Sequence, residues 1–185
     1  MEENNKPKSS KGLVIILIAV LIVLIGIIAF LFIRMKKAEE NRIPQGSELE
    51  LDKSQGEYVE KPTYADDSGI DPAVSVTLPG WGSITIPADT THIDRGIDFY
   101  NPNRNTGYYY LTFELNLDED GDGEYETNLY KSGLVEPTKH IQEIEISKPL
   151  PAGTYSAQVF MQPYRMDEDK TATNNGSVNI ELIVE

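Results

Sequence analysis

The segment YYYLTFELNL, Tyr108–Leu117, alternates without a break: Tyr109, Leu111, Phe113, Leu115 and Leu117 interleave with Tyr108, Tyr110, Thr112, Glu114 and Asn116. Strand side chains point to opposite faces with a period of two, so this segment offers one apolar face to a core and one polar face to water. A helix would scatter the same residues around its axis. The segment reads as a half-buried β-strand.

The same texture recurs on both sides of it. Tyr155, Ala157, Val159 and Met161 repeat the alternation, as do Val178, Ile180, Leu182 and Val184, and Val74, Val76 and Leu78 in a shorter form. Ser83–Ile86, Ile97–Tyr100, Glu124–Lys131 and Ile141–Ile146 supply further short strands, the last imperfect because Gln142 shares a face with Ile144 and Ile146. Turn signals separate them: Pro79-Gly80, Asn101-Pro102, Asp122-Gly123, Glu136-Pro137, Pro151-Ala152-Gly153 and Asn174-Asn175-Gly176. Residues 71–185 are therefore predicted to form an all-β domain, an immunoglobulin-like antiparallel β-sandwich of seven or eight strands, with a small barrel as the alternative.

Upstream the texture changes completely. Residues 13–33, LVIILIAVLIVLIGIIAFLFI, carry no charge and no proline, with Lys11 before them and Arg34, Lys36 and Lys37 after. At helical rise the run is about 31 Å long, against a hydrocarbon core of about 30 Å. A helix apolar on every side needs lipid or a large core around it, and the remaining chain is too small and polar to be that core. The run exceeds an ordinary signal-peptide core, and no small-x-small cleavage site precedes Arg34, so it reads as an uncleaved transmembrane anchor. Gly26 and Ala29 are three apart and form no G-x-x-x-G dimerisation face. Lys6, Lys8 and Lys11 precede the span, nearly balanced by the basic residues after it. The short charged tail favours a cytoplasmic N-terminus at residues 1–12, because long C-terminal domains cross largely regardless of charge. Residues 34–70 are polar and show no sustained period, which predicts a flexible stalk holding the β domain outside the membrane.

Charge and composition remove several function classes. Residues 70–185 hold seven basic residues against nineteen acidic ones, and the whole chain carries a net charge of −14. Phosphate backbones need clustered Lys and Arg, so nucleic acid is excluded as a partner. Cysteine is absent, which excludes disulfides, thiolate metal sites and cysteine nucleophiles. That absence in an exported domain points to a bacterial surface with a single membrane.

Three stretches, FYNPNRN (Phe99–Asn105), LYKSGLVEP (Leu129–Pro137) and LPAGTYSAQV (Leu150–Val159), resemble small proteins of Gram-positive, clostridial-type bacteria. Those proteins pair an N-terminal anchor and a short linker with an Ig-like β domain, and they often accompany mobile elements. The resemblance implies location and fold, and implies no catalytic activity.

One stretch carries metal chemistry. In LDEDGDGEYET, residues 117–127, Asp118, Asp120 and Asp122 occupy alternate positions with Gly123 next, as at the start of a D-x-D-x-D-G calcium loop. Glu126 and the backbone oxygen of Glu124 could complete the oxygen shell. Position twelve of the loop is Leu129 where an EF-hand requires a bidentate Glu, and strands flank it, so it is not an EF-hand. An acidic hairpin turn accounts for the same residues without an ion. No cofactor is required by this reading, and Ca2+ is the one candidate.

Tyr108 and Tyr110 lie on the outward parity, with Tyr100, Tyr130, Trp81 and Tyr164 as candidate neighbours. Such a surface would anchor a protein partner or stack on sugar rings, whereas packing across strands explains the same residues more simply. His92 and His140 are the only histidines, and no G-x-S-x-G or similar nucleophile motif is present. His92-x-Asp94 resembles a base and its orienter only superficially. The chain is thus expected to be a non-catalytic, membrane-anchored extracytoplasmic module contacting a cell-envelope protein. The alternative is a carbohydrate- or Ca2+-binding surface module.

Overall fold

The computed structural model describes residues 10–40, 48–58 and 71–185. It divides into two compact units, residues 1–43 and 44–185. Among its described residues the first holds one helix, α1 (Ser10–Glu40), which starts before the predicted span and runs past it. From Val14 to Phe32 none of its apolar length is buried against protein. Its length and composition suffice to cross a membrane as a single-pass anchor, a test that an N-terminal signal sequence also meets.

Among the described residues, the second unit is mostly β-sheet. Its strands are β1 (Gly56–Glu57), β2 (Ser83–Ile86), β3 (His92–Ile93), β4 (Phe99–Tyr100), β5 (Tyr109–Leu117), β6 (Thr127–Lys131), β7 (Lys139–Ile141), β8 (Ile144–Glu145), β9 (Gly153–Arg165) and β10 (Gly176–Val184). Five of them form a sheet in the order β2-β10-β9-β5-β6, and a three-stranded sheet β1-β7-β4 and the pair β3-β8 accompany it. The inner face of the large sheet is built by registered apolar pairs: Phe113 with Met161, Leu115 with Val159, and Leu117 with Ala157 between β5 and β9. Val178 continues from Val159 and Ile180 from Ala157 on β10, and Ile84 and Ile86 finish the row on β2.

The small sheets cover that face. Phe99 of β4 stacks on Phe113 of β5 with ring centres 5.4 Å apart, and on Tyr130 of β6 at 6.1 Å. Ile141, Ile93 and Ile144 are buried in the same cluster. Trp81 sets its edge against Phe99 and donates its indole N–H to the Asp98 carbonyl at 3.2 Å.

Four sequence readings need correction. The sheet is mixed rather than antiparallel, because β2 runs parallel to β10. No tight turn joins those two strands, so nothing forces them to be antiparallel. Residues 74–78 alternate yet form no strand: Thr77 bonds to the Asn105 side chain through both its N–H and its carbonyl. The predicted strand Ile141–Ile146 is broken at Gln142, its mismatched residue, into β7 and β8.

The fourth concerns the stalk over residues 34–70. Residues 48–58 lie on the β unit as an ordered strap; residues 41–47 and 59–70 fall outside the described residues. Leu51 bridges Leu134 in parallel, and β1 pairs with β7 through Gly56 opposite His140 and Glu57 opposite Lys139. Backbone hydrogen bonds satisfied by pairing outweigh a composition that is merely polar. The β unit therefore includes sequence upstream of residue 71.

The FYNPNRN stretch owes its pattern to a buried polar network. Asn101 and Asn105 are almost wholly buried. The Asn101 amide donates to the carbonyls of Tyr109 at 3.0 Å and Val135 at 2.9 Å. Asn105 donates to Asn101 Oδ1 at 2.7 Å and to the Thr77 carbonyl at 2.8 Å, and accepts the Thr77 N–H at 2.9 Å. These bonds tie residue 77, the end of β4 and the start of β5 together, where backbone groups lack ladder partners.

Candidate functional site

The acidic hairpin between β5 and β6 is the first candidate. The turn needs backbone on the left-handed side, and glycine supplies it at Gly121 (φ 77°) and Gly123 (φ 90°). Asp118 is buried, and its two oxygens accept the N–H groups of Gly121 at 2.7 Å and Gly123 at 3.1 Å. Asp120 accepts the Asp122 N–H at 3.2 Å, and Asp122 accepts the Glu124 N–H at 2.8 Å. The carboxylates of Asp118, Asp122 and Glu126 each place an oxygen within 4.8 Å of the others. Ca2+ binds oxygens at about 2.3–2.6 Å, so ligand oxygens on one ion lie up to about 5 Å apart. Three of the four predicted ligands are thus brought together. Asp120 is not in that group. Glu119 turns away to pair with Lys148, which lowers its pKa.

The aromatic set separates into different places. Tyr108 is 39% exposed and Tyr110 half-buried. Their candidate neighbours mostly lie elsewhere: Tyr130 and Trp81 pack against the core, Tyr100 stacks on Tyr58 at 4.5 Å, and Tyr164 is buried. Tyr164 does sit directly opposite Tyr110, but beneath the surface. Burial pushes its phenol up to about 12, with the Glu114 charge adding to the effect. Thr112, Gln162 and Leu134 are buried too, so this end of the sheet is covered on both faces. Cross-strand packing accounts for most of the tyrosines.

Both histidines are held by carboxylates, and Asp94 is the contact partner of neither. His92 of β3 contacts Glu145 of β8 through Nδ1 at 2.8 Å and approaches Glu143 through Nε2 at 3.5 Å. The hydrogen bond to Glu145 raises its pKa above the ordinary imidazole value; burial opposes the rise, and the charges of Glu145, Glu143 and Asp94 add to it. His140 pairs with Asp98 at 2.8 Å and has a side chain only 16% exposed. Gly56 and Tyr58 of the strap pack against its ring.

A cleft that sequence reasoning missed lies between the strap and the β3-β8 pair. It measures about 740 Å3, and Glu50, Asp52, Tyr130, His92, Glu143 and Glu145 are among its walls. Its acidic groups come from two segments about ninety residues apart in the chain, which no local pattern could connect. Asp52 is committed to structure, accepting the N–H groups of Ser54 and Gly133. Burial raises the pKa of Tyr130 at the cleft, with the Asp52 charge contributing next.

Comparison with protein-family models, curated proteins and solved structures yields no match in any of the three.

Proposed function

We propose that the protein is a single-pass membrane protein that presents an Ig-like, sandwich-type β domain outside the cytoplasm and acts by non-catalytic contact with a cell-envelope protein. One observation carries this reading: α1 exposes an unbroken apolar surface from Val14 to Phe32, while the acidic β unit encloses its own apolar core. A protein of this kind needs lipid for one part and water for the other. The N-terminus is assigned to the cytoplasm from the charged tail, and the resemblance to clostridial-type anchored proteins supports the same layout. The acidic surface suits a partner with a basic patch, since complementary charge speeds and orients association.

Protease added to intact cells or protoplasts should remove the β unit and spare an N-terminal tag. The opposite pattern would reverse the topology. In the native membrane, crosslinking should trap a defined neighbour. His92→Ala with His140→Ala should leave the cellular role intact, whereas Tyr108→Ala with Tyr110→Ala or charge reversals on one outer face should impair it. A hydrolytic activity that vanished with either histidine would replace this reading with an enzyme.

The grouping of Asp118, Asp122 and Glu126 favours a second reading, in which the hairpin takes Ca2+ from the medium. An ion bound only by the folded state stabilises it by about 1.4 kcal/mol at ten times the dissociation constant. Millimolar Ca2+ should therefore raise the melting temperature. Asp122→Asn with Glu126→Gln should abolish the rise, and Asp120→Asn alone should leave most of it. An undiminished rise in the double variant would reduce the hairpin to an acidic turn.

A further inference from the structure

We propose that residues 48–58 form a releasable strap, which opens as a unit before the β domain unfolds and thereby changes the length of chain between α1 and the domain.

Its hold is specific. The Asp52 N–H donates to the Leu134 carbonyl and the Leu134 N–H to the Glu50 carbonyl, both at 2.9 Å, and the Tyr58 N–H donates to the Thr138 carbonyl at 2.8 Å. Side chains add pins. Asp52 Oδ2 accepts the Gly133 N–H at 2.8 Å, Gln55 Oε1 accepts the Glu136 N–H at 2.9 Å, and Glu57 pairs with Lys139. Tyr58 closes the far end by stacking on Tyr100.

Its hold is also shallow. Every strap residue is exposed or only partly buried, and Leu51 keeps 42% of its surface in water. The nine-residue ladders of β5 and β10 on β9, by contrast, carry the buried apolar core. Regions with few buried apolar contacts and solvent-exposed backbone hydrogen bonds open at lower free energy than the core. Loss of the strap removes polar pins and one ring stack while leaving that core intact.

Gly133 marks the crossing. A Cβ there would stand 2.9 Å from the Glu50 carbonyl oxygen and 3.0 Å from the Asp52 backbone, too close for an ordinary contact. Its φ is not in the left-handed region, so only the strap's passage demands glycine. This accounts for the glycine inside LYKSGLVEP.

The consequence is one of length. Release adds the eleven residues 48–58 themselves, at most about 40 Å of extended chain, to the stretch between α1 and the domain. The tether role rests on the membrane-span reading; opening of the strap does not.

Hydrogen exchange on the full chain in detergent micelles tests the opening directly. The amides of 49–58 and those of Gly133, Leu134 and Glu136, which bond to the strap, should exchange together, slower than free coil and at least about tenfold faster than β5 and β9 amides. Gly133→Ala should speed exchange in 49–58 by about tenfold or more with β5 and β9 unchanged. Asp52→Ala, which removes the strap's side-chain pin on Gly133, should act in the same direction. A disulfide between Leu51→Cys and Leu134→Cys, clean in a chain without native cysteine, should slow it. Strap protection equal to that of β9, or none at all, would overturn the proposal. So would Gly133→Ala and Asp52→Ala both leaving the strap's exchange unchanged or both speeding exchange of the core equally. Failure of the protease topology test with these results intact would remove the tether role and leave the strap.

Discussion

Replacing Asn101 tests whether FYNPNRN is a structural network. Its side chain makes three buried hydrogen bonds, to the Tyr109 and Val135 carbonyls and from the Asn105 amide. At about 1 kcal/mol each, Asn101→Ala should cost about 3 kcal/mol. The loss is softened because the Val135 carbonyl also accepts the Leu111 N–H and Asn105 keeps Thr77. About 2–3 kcal/mol is therefore expected, read from urea unfolding of the chain followed by tryptophan fluorescence. Asn101→Asp is sharper, because it keeps the shape but turns a double donor into an anion facing two carbonyl oxygens. Its cost at pH 7 should exceed that of Asn101→Ala. Burial beside two carbonyl oxygens, with the Asn105 amide the one donor facing it, raises the folded pKa of the new carboxyl above its unfolded value, so the penalty is full above the folded pKa and fades as pH falls through it. Relative to wild type at each pH, Asn101→Asp should recover on going from pH 7 to pH 4. A loss below about 0.5 kcal/mol for Asn101→Ala, or an Asp variant no worse than Ala and flat with pH, would refute the network.

Two further outcomes follow from the same geometry. The folded pKa of His92 is raised by Glu145, so its contribution is full below the unfolded value near 6.5 and lost as pH rises through the folded value. The stability gap between wild type and His92→Ala should therefore narrow from pH 5 to pH 8.5, and a gap that widened with pH would contradict the pairing. A soluble fragment beginning at Pro44 should be more stable than one beginning at Asp71 by roughly 1–3 kcal/mol, the worth of a few exposed hydrogen bonds and one ring stack. Equal denaturation midpoints would mean that the strap contributes nothing to the domain.

The apolar helix and the long strands were legible because each carries its own period. Tyr109 to Leu117 buries the alternating residues expected of it, with Thr112 the one outward residue that is also buried. Residues 13–33 could only be a helix apolar on every side, since nothing in the run breaks it. The acid spacing in the hairpin was also local, and three of its acids, Asp118, Asp122 and Glu126, stand within 4.8 Å of one another. What stayed hidden depends on contacts between distant segments. Val74–Leu78 has the alternation of a strand, yet Asn105 takes the backbone bonds of Thr77. Residues 48–58 have the composition of a linker, yet an open strand edge at Leu134 and β7 offers their backbone partners. A period of two or 3.6 is written in the side chains of one segment, whereas a backbone hydrogen bond across eighty residues depends on which edge the rest of the fold leaves free.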